Sequence, residues 1–232
     1  MSEALEKVSG VYELPLFPLP VILFPGAPLP LHIFEPRYQK MLKDIQIGNN
    51  LFGLSYFDAG ETDESMPAVG HIGCVAEVRD VQPLPDGRSN ILTVGVIRYR
   101  LESYVDADEP YLVGKVTYFE DTDEDKAALE PEAQKVQELF IRIAKAIKKL
   151  NSDNEPLPDF PPTDAEQLSF LVSSAMDIDA NLKFELLEMR STTERLERLH
   201  SYLSRAVVEY EERAQVQQIA KTNGHTKKKI HL

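Results

Sequence analysis

The sequence has one cysteine and no tryptophan, and no apolar run approaches the length of a membrane span. A single cysteine, Cys74, cannot form an internal disulfide, which is typical of proteins from reducing compartments. A membrane-spanning helix needs about 20 mainly apolar residues. The N-terminal residues MSEALEKVSG lack the basic start and the apolar core of a secretory signal. These absences predict a cytoplasmic protein without a membrane segment.

Motifs for nucleotide, metal and hydrolase chemistry are also missing. Gly114-Lys115 is followed by Val116 and lacks the earlier glycine that a phosphate-binding loop requires. The sequence has no Gly-x-Gly-x-x-Gly, His-x-x-x-His or Gly-x-Ser-x-Gly pattern. We therefore expect no cofactor and no metal ion. A hydrolase with a site assembled from distant residues stays open, because spatial neighbours cannot be read from a sequence.

Negative charge dominates the chain. The net charge is −13, and five cations follow Glu212 without any acidic residue, so the part up to Glu212 carries −18. Binding to nucleic acid rests largely on neutralising phosphates with Lys and Arg, and a negative surface repels phosphate. The charge therefore disfavours a nucleic-acid partner.

The stretch 14–38, LPLFPLPVILFPGAPLPLHIFEPRY, is dense in proline and in apolar residues. Proline fixes φ and removes a backbone donor, which excludes one long helix and disfavours a central strand. The stretch instead predicts short, bent edge strands at 14–16, 21–24 and 29–34, each ending at a proline.

Two local signals shape the end of this stretch. Gly26 after Pro25 supplies the permissive backbone of a tight turn. Pro36 suits the first position of a helix, where Glu35 is placed to cap the N-terminus and Arg37 to pair with a carboxylate. We interpret Glu35 and Arg37 as a structural pair rather than a ligand site. The apolar face of the predicted helix comprises Tyr38, Met41, Leu42 and Ile45.

Alternating and β-rich segments continue to residue 119. They predict further strands at 51–57, 72–84, 91–101 and 111–119. The acidic residues 58–66 between the first two predict an exposed mobile loop. Six or more short strands with hairpin turns and glycines predict a closed or half-closed barrel.

From residue 120 the periodicity becomes helical. Apolar positions three and four apart run from Val136 to Leu150 and again in the last helix to Tyr210. The predicted N-terminal caps are Thr163 with Glu166, Asp179, and Ser191 with Glu194. The fold class is α+β: a β-rich part at 11–120, a helical bundle at 121–212 and a disordered basic tail at 213–232.

Three residues invite a chemical interpretation but favour a structural one. Cys74 lies in the apolar run IGCVAEV, where a buried and unreactive thiol is expected. His32 and His71 also lie in apolar runs, which favours hydrogen-bonded structural histidines over catalytic bases.

The motifs described so far resemble the LON substrate-binding domain, the N-terminal domain of Lon proteases. The matching segments are LPLFPL at 14–19, LFPG at 23–26, LPLHIFEPRY at 29–38, IGCVA at 72–76, PDGR at 85–88, GVIRYR at 95–100 and YLV at 111–113. Similarity continues in 182–187 and in RLERL at 195–199, so that it covers roughly residues 11 to 210.

The resemblance implies a fold and a role. It implies a β-rich, PUA-like pseudo-barrel followed by a helical bundle, and a family role in recognising unfolded or damaged protein segments. The ATPase and Ser-Lys protease domains of full-length Lon have no counterpart here, so a stand-alone, non-catalytic LON-domain protein is implied. The residues that the family motif marks as structural are Pro15, Pro25, Gly26, Pro30, Glu35, Pro36, Arg37, Tyr38 and Gly73.

Our first functional hypothesis is therefore a module that binds unfolded or extended polypeptide, or an adaptor in protein quality control that works with a protease or chaperone. Bent edge strands could accept a peptide by strand addition, and Phe17, Phe24 and Phe34 are candidate peptide contacts. The alternatives are an RNA-binding PUA-like protein and a hydrolase with an unrecognised site. The sequence leaves the oligomeric state open.

Overall fold

The structure is a computed structural model that describes residues 1–57, 66–153, 155–157 and 162–224, with side chains described to residue 219. Residues 58–65 of the predicted acidic loop, part of the connector after residue 150 and residues 225–232 lie outside the described residues. Contacts divide the chain into two units. The first comprises 1–123 with 173–191, and the second comprises 124–172 with the chain from residue 192 onward.

The fold consists of a six-stranded sheet followed by helices, which confirms the predicted α+β class. The strands are β1 Glu13–Leu19, β2 Pro28–Ile33, β3 Leu51–Tyr56, β4 Ile72–Pro83, β5 Ser89–Val105 and β6 Leu112–Phe119. The helices are α1 Glu3–Lys7, α2 Pro36–Ile47, α3 Lys126–Leu150, α4 Ala165–Ala175, α5 Ala180–Glu188 and α6 Thr192–Gly224.

Five strands of the first unit form a closed ring of backbone pairings. β1 pairs in parallel with β3 and antiparallel with β6, while the pairs β3–β4, β4–β5 and β5–β6 are all antiparallel. The 17-residue strand β5 has two partners in succession on one side: β2 along its N-terminal part and β6 along its C-terminal part. Within the described ranges β2 pairs with β5 alone, which leaves its other edge free.

The prediction of edge strands is wrong for β1. Pro15 is opposite Val113 of β6 and Pro18 is opposite Ser55 of β3, so this proline-rich strand lies between two neighbours. A proline removes a donor on one side of a strand only, and the intervening residues still pair. The predicted strand at 21–24 is also absent, because these residues form irregular backbone before the turn.

The turn at Pro25-Gly26 is confirmed. Gly26 has a φ of +75°, a left-handed conformation that favours glycine. Its N–H donates to the Gly95 carbonyl at 2.9 Å, and the Gly95 N–H donates to the Ala27 carbonyl at 3.0 Å. A Cβ on Gly95 would lie 2.1 Å from the Phe24 carbonyl oxygen, so glycine is required for this close approach.

The interior of the ring is filled by side chains around Tyr99. Its hydroxyl lies 2.6 Å from Ser55 Oγ, and both residues are buried. A Cβ on Gly73 would lie 2.4 Å from the Leu54 carbonyl and 2.5 Å from the Tyr99 ring. Gly73 therefore has a steric role, since no larger residue fits between the strand and the ring. The cluster also contains Val8, Leu14, Leu16, Leu51, Val75, Ile97, Leu101 and Val116.

Helix α2 begins and packs as predicted. Pro36 is at its start, and the buried face consists of Tyr38, Met41, Leu42 and Ile45. The Tyr38 ring centroid lies 4.0 Å from that of Phe17, which joins the helix to β1. The Glu35 side chain makes no capping hydrogen bond, contrary to the prediction. It accepts instead from Arg37 at 2.8 Å, as the predicted structural pair requires.

The segment 173–191 belongs to the strand-rich unit, although the sequence assigned it to the helical half. Buried Arg98 on β5 connects it to the ring, because its guanidinium donates to the carbonyls of Leu187 (3.0 Å) and Met189 and pairs with Asp121. The Phe119 ring lies 4.7 Å from the guanidinium carbon. A buried arginine is stable only when it is paired and hydrogen-bonded in this way.

In the second unit, α3 packs along α6. Arg142 and Glu211 form an ion pair at 2.8 Å between the two helices. The Glu124 carboxylate accepts the N–H groups of Thr192 (2.6 Å) and Thr193, and so caps the start of α6. Sequence spacing cannot reveal this cap, because the acceptor lies 68 residues away.

Helix α6 extends to Gly224, so the prediction of a disordered tail is wrong for residues 213–224. The sequence there is polar but contains several Ala and Gln residues, which propagate a helix that is already nucleated. Among the described residues, no helix combines the length and the apolarity needed to cross a membrane.

Candidate functional site

Cys74 and His71 both lie in the first unit, where neighbouring side chains cover them wholly or in part. Cys74 is completely buried, and burial raises the pKa of its thiol to about 12, which keeps it protonated and inert. Burial lowers the pKa of His71, whose ring stacks on Phe184 at 4.8 Å. The described residues contain no group of three potential metal ligands. These observations favour the structural interpretation of Cys74. His71 is packed against an aromatic ring, but its buried Nε2 has no hydrogen-bond partner among the described residues, so the expectation of a hydrogen-bonded histidine is wrong for this nitrogen.

His32 was expected to be a structural histidine within an apolar run, but it is exposed on β2. Its Nδ1 lies 2.7 Å from Asn90 Oδ1 on β5, so it is hydrogen-bonded but not part of the core. The ring also stacks on Phe34, with centroids 6.0 Å apart and planes 20° apart.

The three phenylalanines predicted as peptide contacts separate into two groups. The side chains of Phe17 and Phe24 are 5% and 0% exposed. They are core residues and cannot contact a ligand in this structure, so they are removed from the candidate set. Phe34 is 59% exposed, and it is the candidate that remains.

Phe34 extends a surface formed by β2 and β5. Pro28, Pro30 and His32 are opposite Val94, Leu92 and Asn90 in the register of the two strands. Directly opposite residues share one side of a sheet, and Leu92 is 41% exposed on this side. We refer to Pro28, Pro30, His32, Phe34, Asn90, Leu92 and Val94 as the β2–β5 face.

Strand β4 gives this face a polar border. Asp80 is opposite Leu92 and Gln82 is opposite Asn90, and both are exposed. Further along, Glu77 is opposite Val94 and pairs with Arg79 at 2.9 Å. An apolar centre with a polar border is the arrangement found in protein-contact surfaces.

The free edge of β2 presents few backbone donors. Because the Gly95 N–H bonds to Ala27, the odd-numbered residues that follow direct their backbone groups towards β5. The even-numbered residues, Pro28, Pro30 and His32, therefore direct theirs to the open side. Proline has no N–H, so His32 has the one donor on the open side of β2. Prolines are a common means by which proteins prevent pairing at an exposed edge.

Two shallow clefts lie elsewhere. One, of about 350 Å³, lies in the first unit beside Leu14, Ile45 and Leu51. The other, of about 310 Å³, lies between α3 and α6 and is lined by Arg142, Lys145 and Lys149 among others. Neither contains a residue that the sequence singled out as a ligand contact.

Sequence reasoning found Phe34 but missed Leu92 and Asp80. The alternation in ILTVGV indicates that Leu92 and Val94 share a side, but the alternation alone does not tell which side faces the core. Asp80 follows a β-bulge between Val78 and Asp80, which shifts the register by an amount the sequence does not reveal.

Comparisons with known proteins agree on one family. The model of the ATP-dependent protease La (LON) substrate-binding domain matches residues 13–205. A Lon protease of Parabacteroides distasonis is 31% identical over 150 residues, which are 63% of this chain and 18% of that protein. A Lon protease of Syntrophomonas wolfei is 24% identical over 224 residues, 95% of this chain and 27% of that protein. This chain therefore spans only a minor part of the length of these relatives.

Solved structures show the same fold. A Lon N-terminal domain protein from Xanthomonas campestris superposes with a TM-score of 0.60 at 24% identity, covering 83% of this chain and 99% of that one. The N-terminal domain of a Mycobacterium avium complex Lon protease gives 0.61 at 18% identity, covering 83% and 98%.

Proposed function

The chain belongs to the LON substrate-binding domain family, and we propose that its β2–β5 face binds unfolded or extended segments of other proteins without catalysing a reaction on them. The observation that carries this proposal is the exposed aromatic ring of Phe34 beside Leu92 and Pro30, on a surface with a polar border. Membership in the family supports a protein segment as the partner, and the exposed apolar residues support the β2–β5 face as the binding surface.

The face suits weak and general binding. Burying a Phe or Leu side chain contributes about 1.5–3 kcal/mol, and Phe34 and Leu92 are already partly covered. Much of this gain offsets the entropy lost on association. The stack of His32 on Phe34 holds the aromatic ring in place, which lowers the entropy lost when a ligand docks. We expect transient contacts with many segments rather than one tight complex.

The edge of β2 argues for recognition through side chains. Strand addition requires donors and acceptors along a free edge, and Pro28 and Pro30 remove donors from two successive positions on that edge. A bound segment would therefore lie across the β2–β5 face and not beside β2. Strand addition, one mode that the sequence suggested, has little support in the arrangement of this edge.

The matched relatives are named Lon proteases, and this name supports a role connected with protein degradation. We propose a cytoplasmic role in protein quality control, in which this chain holds an unfolded segment for a protease or chaperone. This role needs no catalytic residue in the chain itself.

RNA binding is the alternative with less physical support. Phe34 could stack on a base, but the border of the face contributes the carboxylate of Asp80, which repels phosphate. A filter-binding assay at low salt distinguishes the two, because RNA affinity falls steeply as salt rises.

The test measures binding of a labelled, permanently unfolded model protein by fluorescence anisotropy. The double variant Phe34→Ser/Leu92→Ser is expected to lose most of the affinity, about tenfold if only 1.4 kcal/mol of apolar burial is lost. Ile47→Ser is the matched control, because Ile47 is an exposed apolar residue on α2 and is 88% exposed. Binding that survives the double variant, or that is lost with Ile47→Ser, would contradict the assignment.

A further inference from the structure

Asp80 adds a negative charge at the centre of the border. The register across three strands places it in one row with Leu92 and Pro30. All three residues are exposed. Its carboxylate makes no ion pair within the described part of the chain, so its charge is open to solvent and to a ligand.

The neighbouring charges are already compensated. Arg79, next to Asp80 in the bulge, pairs with Glu77 at 2.9 Å, and Lys7 also approaches Glu77 at 3.4 Å. Glu35, next to Phe34, pairs with Arg37. Asp80 therefore gives the apolar row of Pro30 and Leu92 a net negative potential at one end.

We propose that Asp80 determines specificity: the β2–β5 face prefers segments in which a lysine or arginine adjoins an apolar or aromatic residue, and it disfavours the same segments with an acidic neighbour. This inference rests on the proposed function. An apolar side chain that lies on Leu92 and Pro30 brings its neighbour in the segment within reach of Asp80, because these residues are adjacent across the strands. A cationic neighbour gains a salt bridge there, and an acidic neighbour is repelled.

The effect is modest, because Asp80 is exposed. Exposed ion pairs typically contribute about 0.2–1 kcal/mol, which corresponds to an affinity ratio of up to about fivefold. The ratio shrinks as salt rises, since the Debye length falls from about 10 Å at 0.1 M to about 3 Å at 1 M.

The experiment uses two labelled peptides that share their apolar residues and differ only in Lys or Glu at the flanking positions. Fluorescence anisotropy gives the affinity ratio for the wild-type chain, Asp80→Asn and Asp80→Lys. The control is Asp106→Asn. Asp106 is exposed just beyond the C-terminal end of β5, and its substitution changes the net charge by the same amount as Asp80→Asn.

We expect the wild-type chain and Asp106→Asn to prefer the Lys peptide by up to about fivefold at low salt. Asp80→Asn should bind both peptides almost equally, and Asp80→Lys should reverse the preference. If Asp80→Asn prefers the Lys peptide as strongly as the wild-type chain does, the role of Asp80 is overturned. The preference is then an effect of overall charge. Binding without any preference would overturn the inference but leave the proposed function, whereas no binding of either peptide would overturn both.

Discussion

The two halves of the proline-rich stretch, residues 14–27 and 28–38, have similar compositions but differ in how deeply their aromatic side chains are buried. Both alternate proline with Leu and Phe. In the first half Phe24 is fully buried, while in the second half Phe34 is 59% exposed. Phe24 lies in the irregular segment after β1, where its backbone closely approaches Gly95 of β5. Phe34 directly follows β2, which among the described residues pairs with β5 alone, whereas β1 has neighbours on both sides.

This difference shows that proline has two separate uses in one segment. In β1, Pro15 and Pro18 are accommodated inside the ring, where the residues between them still pair. In β2, Pro28 and Pro30 occupy positions that direct their backbone to the open side. The first use fixes the fold, and the second leaves an apolar surface available while preventing pairing along its edge.

The largest expected effect is a difference in the free energy of unfolding between a substitution in the first half and one in the second half. Phe24→Ala removes a fully buried ring, and such changes typically cost about 3–5 kcal/mol. Phe34→Ala removes an exposed ring, and a surface change of this kind typically alters the unfolding free energy by no more than about 0.5 kcal/mol. Urea denaturation of both variants measures the contrast. Similar losses in the two would show that the halves do not differ in structural role.

A second prediction concerns the close approach of the first half to β5. Gly95→Ala places a Cβ 2.1 Å from the Phe24 carbonyl oxygen, and because backbone must move, we expect a loss of about 3 kcal/mol or more. Gly48→Ala is the control, since a Cβ there would meet its nearest atom at an ordinary 3.6 Å. Thermal unfolding measures both. A Gly95→Ala variant as stable as the Gly48→Ala variant would argue against this packing.

A third prediction tests the edge of the second half. The double variant Pro28→Val/Pro30→Val gives two N–H groups to the open side of β2, so self-association should increase relative to the parent chain. The free energy of unfolding should change by only about 1 kcal/mol, within the range of strand propensities. Sedimentation velocity measures the association. Leu92→Val changes the same face without adding a donor and should leave the association state as it was.

Local sequence patterns predicted the helices and strands of this region better than they predicted which strands pair with one another. The spacing of Tyr38, Met41 and Ile45 predicted the buried face of α2, because the apolar face of a helix is a property of nearby residues. The pairing of β1 with β3 and β6 depends on segments far along the chain, so its central position was missed.

The residues of the candidate site could likewise be predicted only in part from local sequence patterns. Phe34 could be named from the sequence as one of three candidates, but burial of Phe17 and Phe24 appears only once α2 and β5 are in place. Asp80 joins the face through a bulge in β4 and through pairings across three strands. No local pattern connects these positions.

We expect unfolded polypeptide to bind on the β2–β5 face and not on the rest of the first unit. Amide signals of the isotope-labelled chain, followed by NMR during titration with an unfolded model protein, test it most directly. We expect shifts concentrated at residues 29–34 and 90–94, with the Phe17 signal unchanged. Shifts concentrated around Ile47, or saturable binding with no shifts at 29–34 and 90–94, would contradict it.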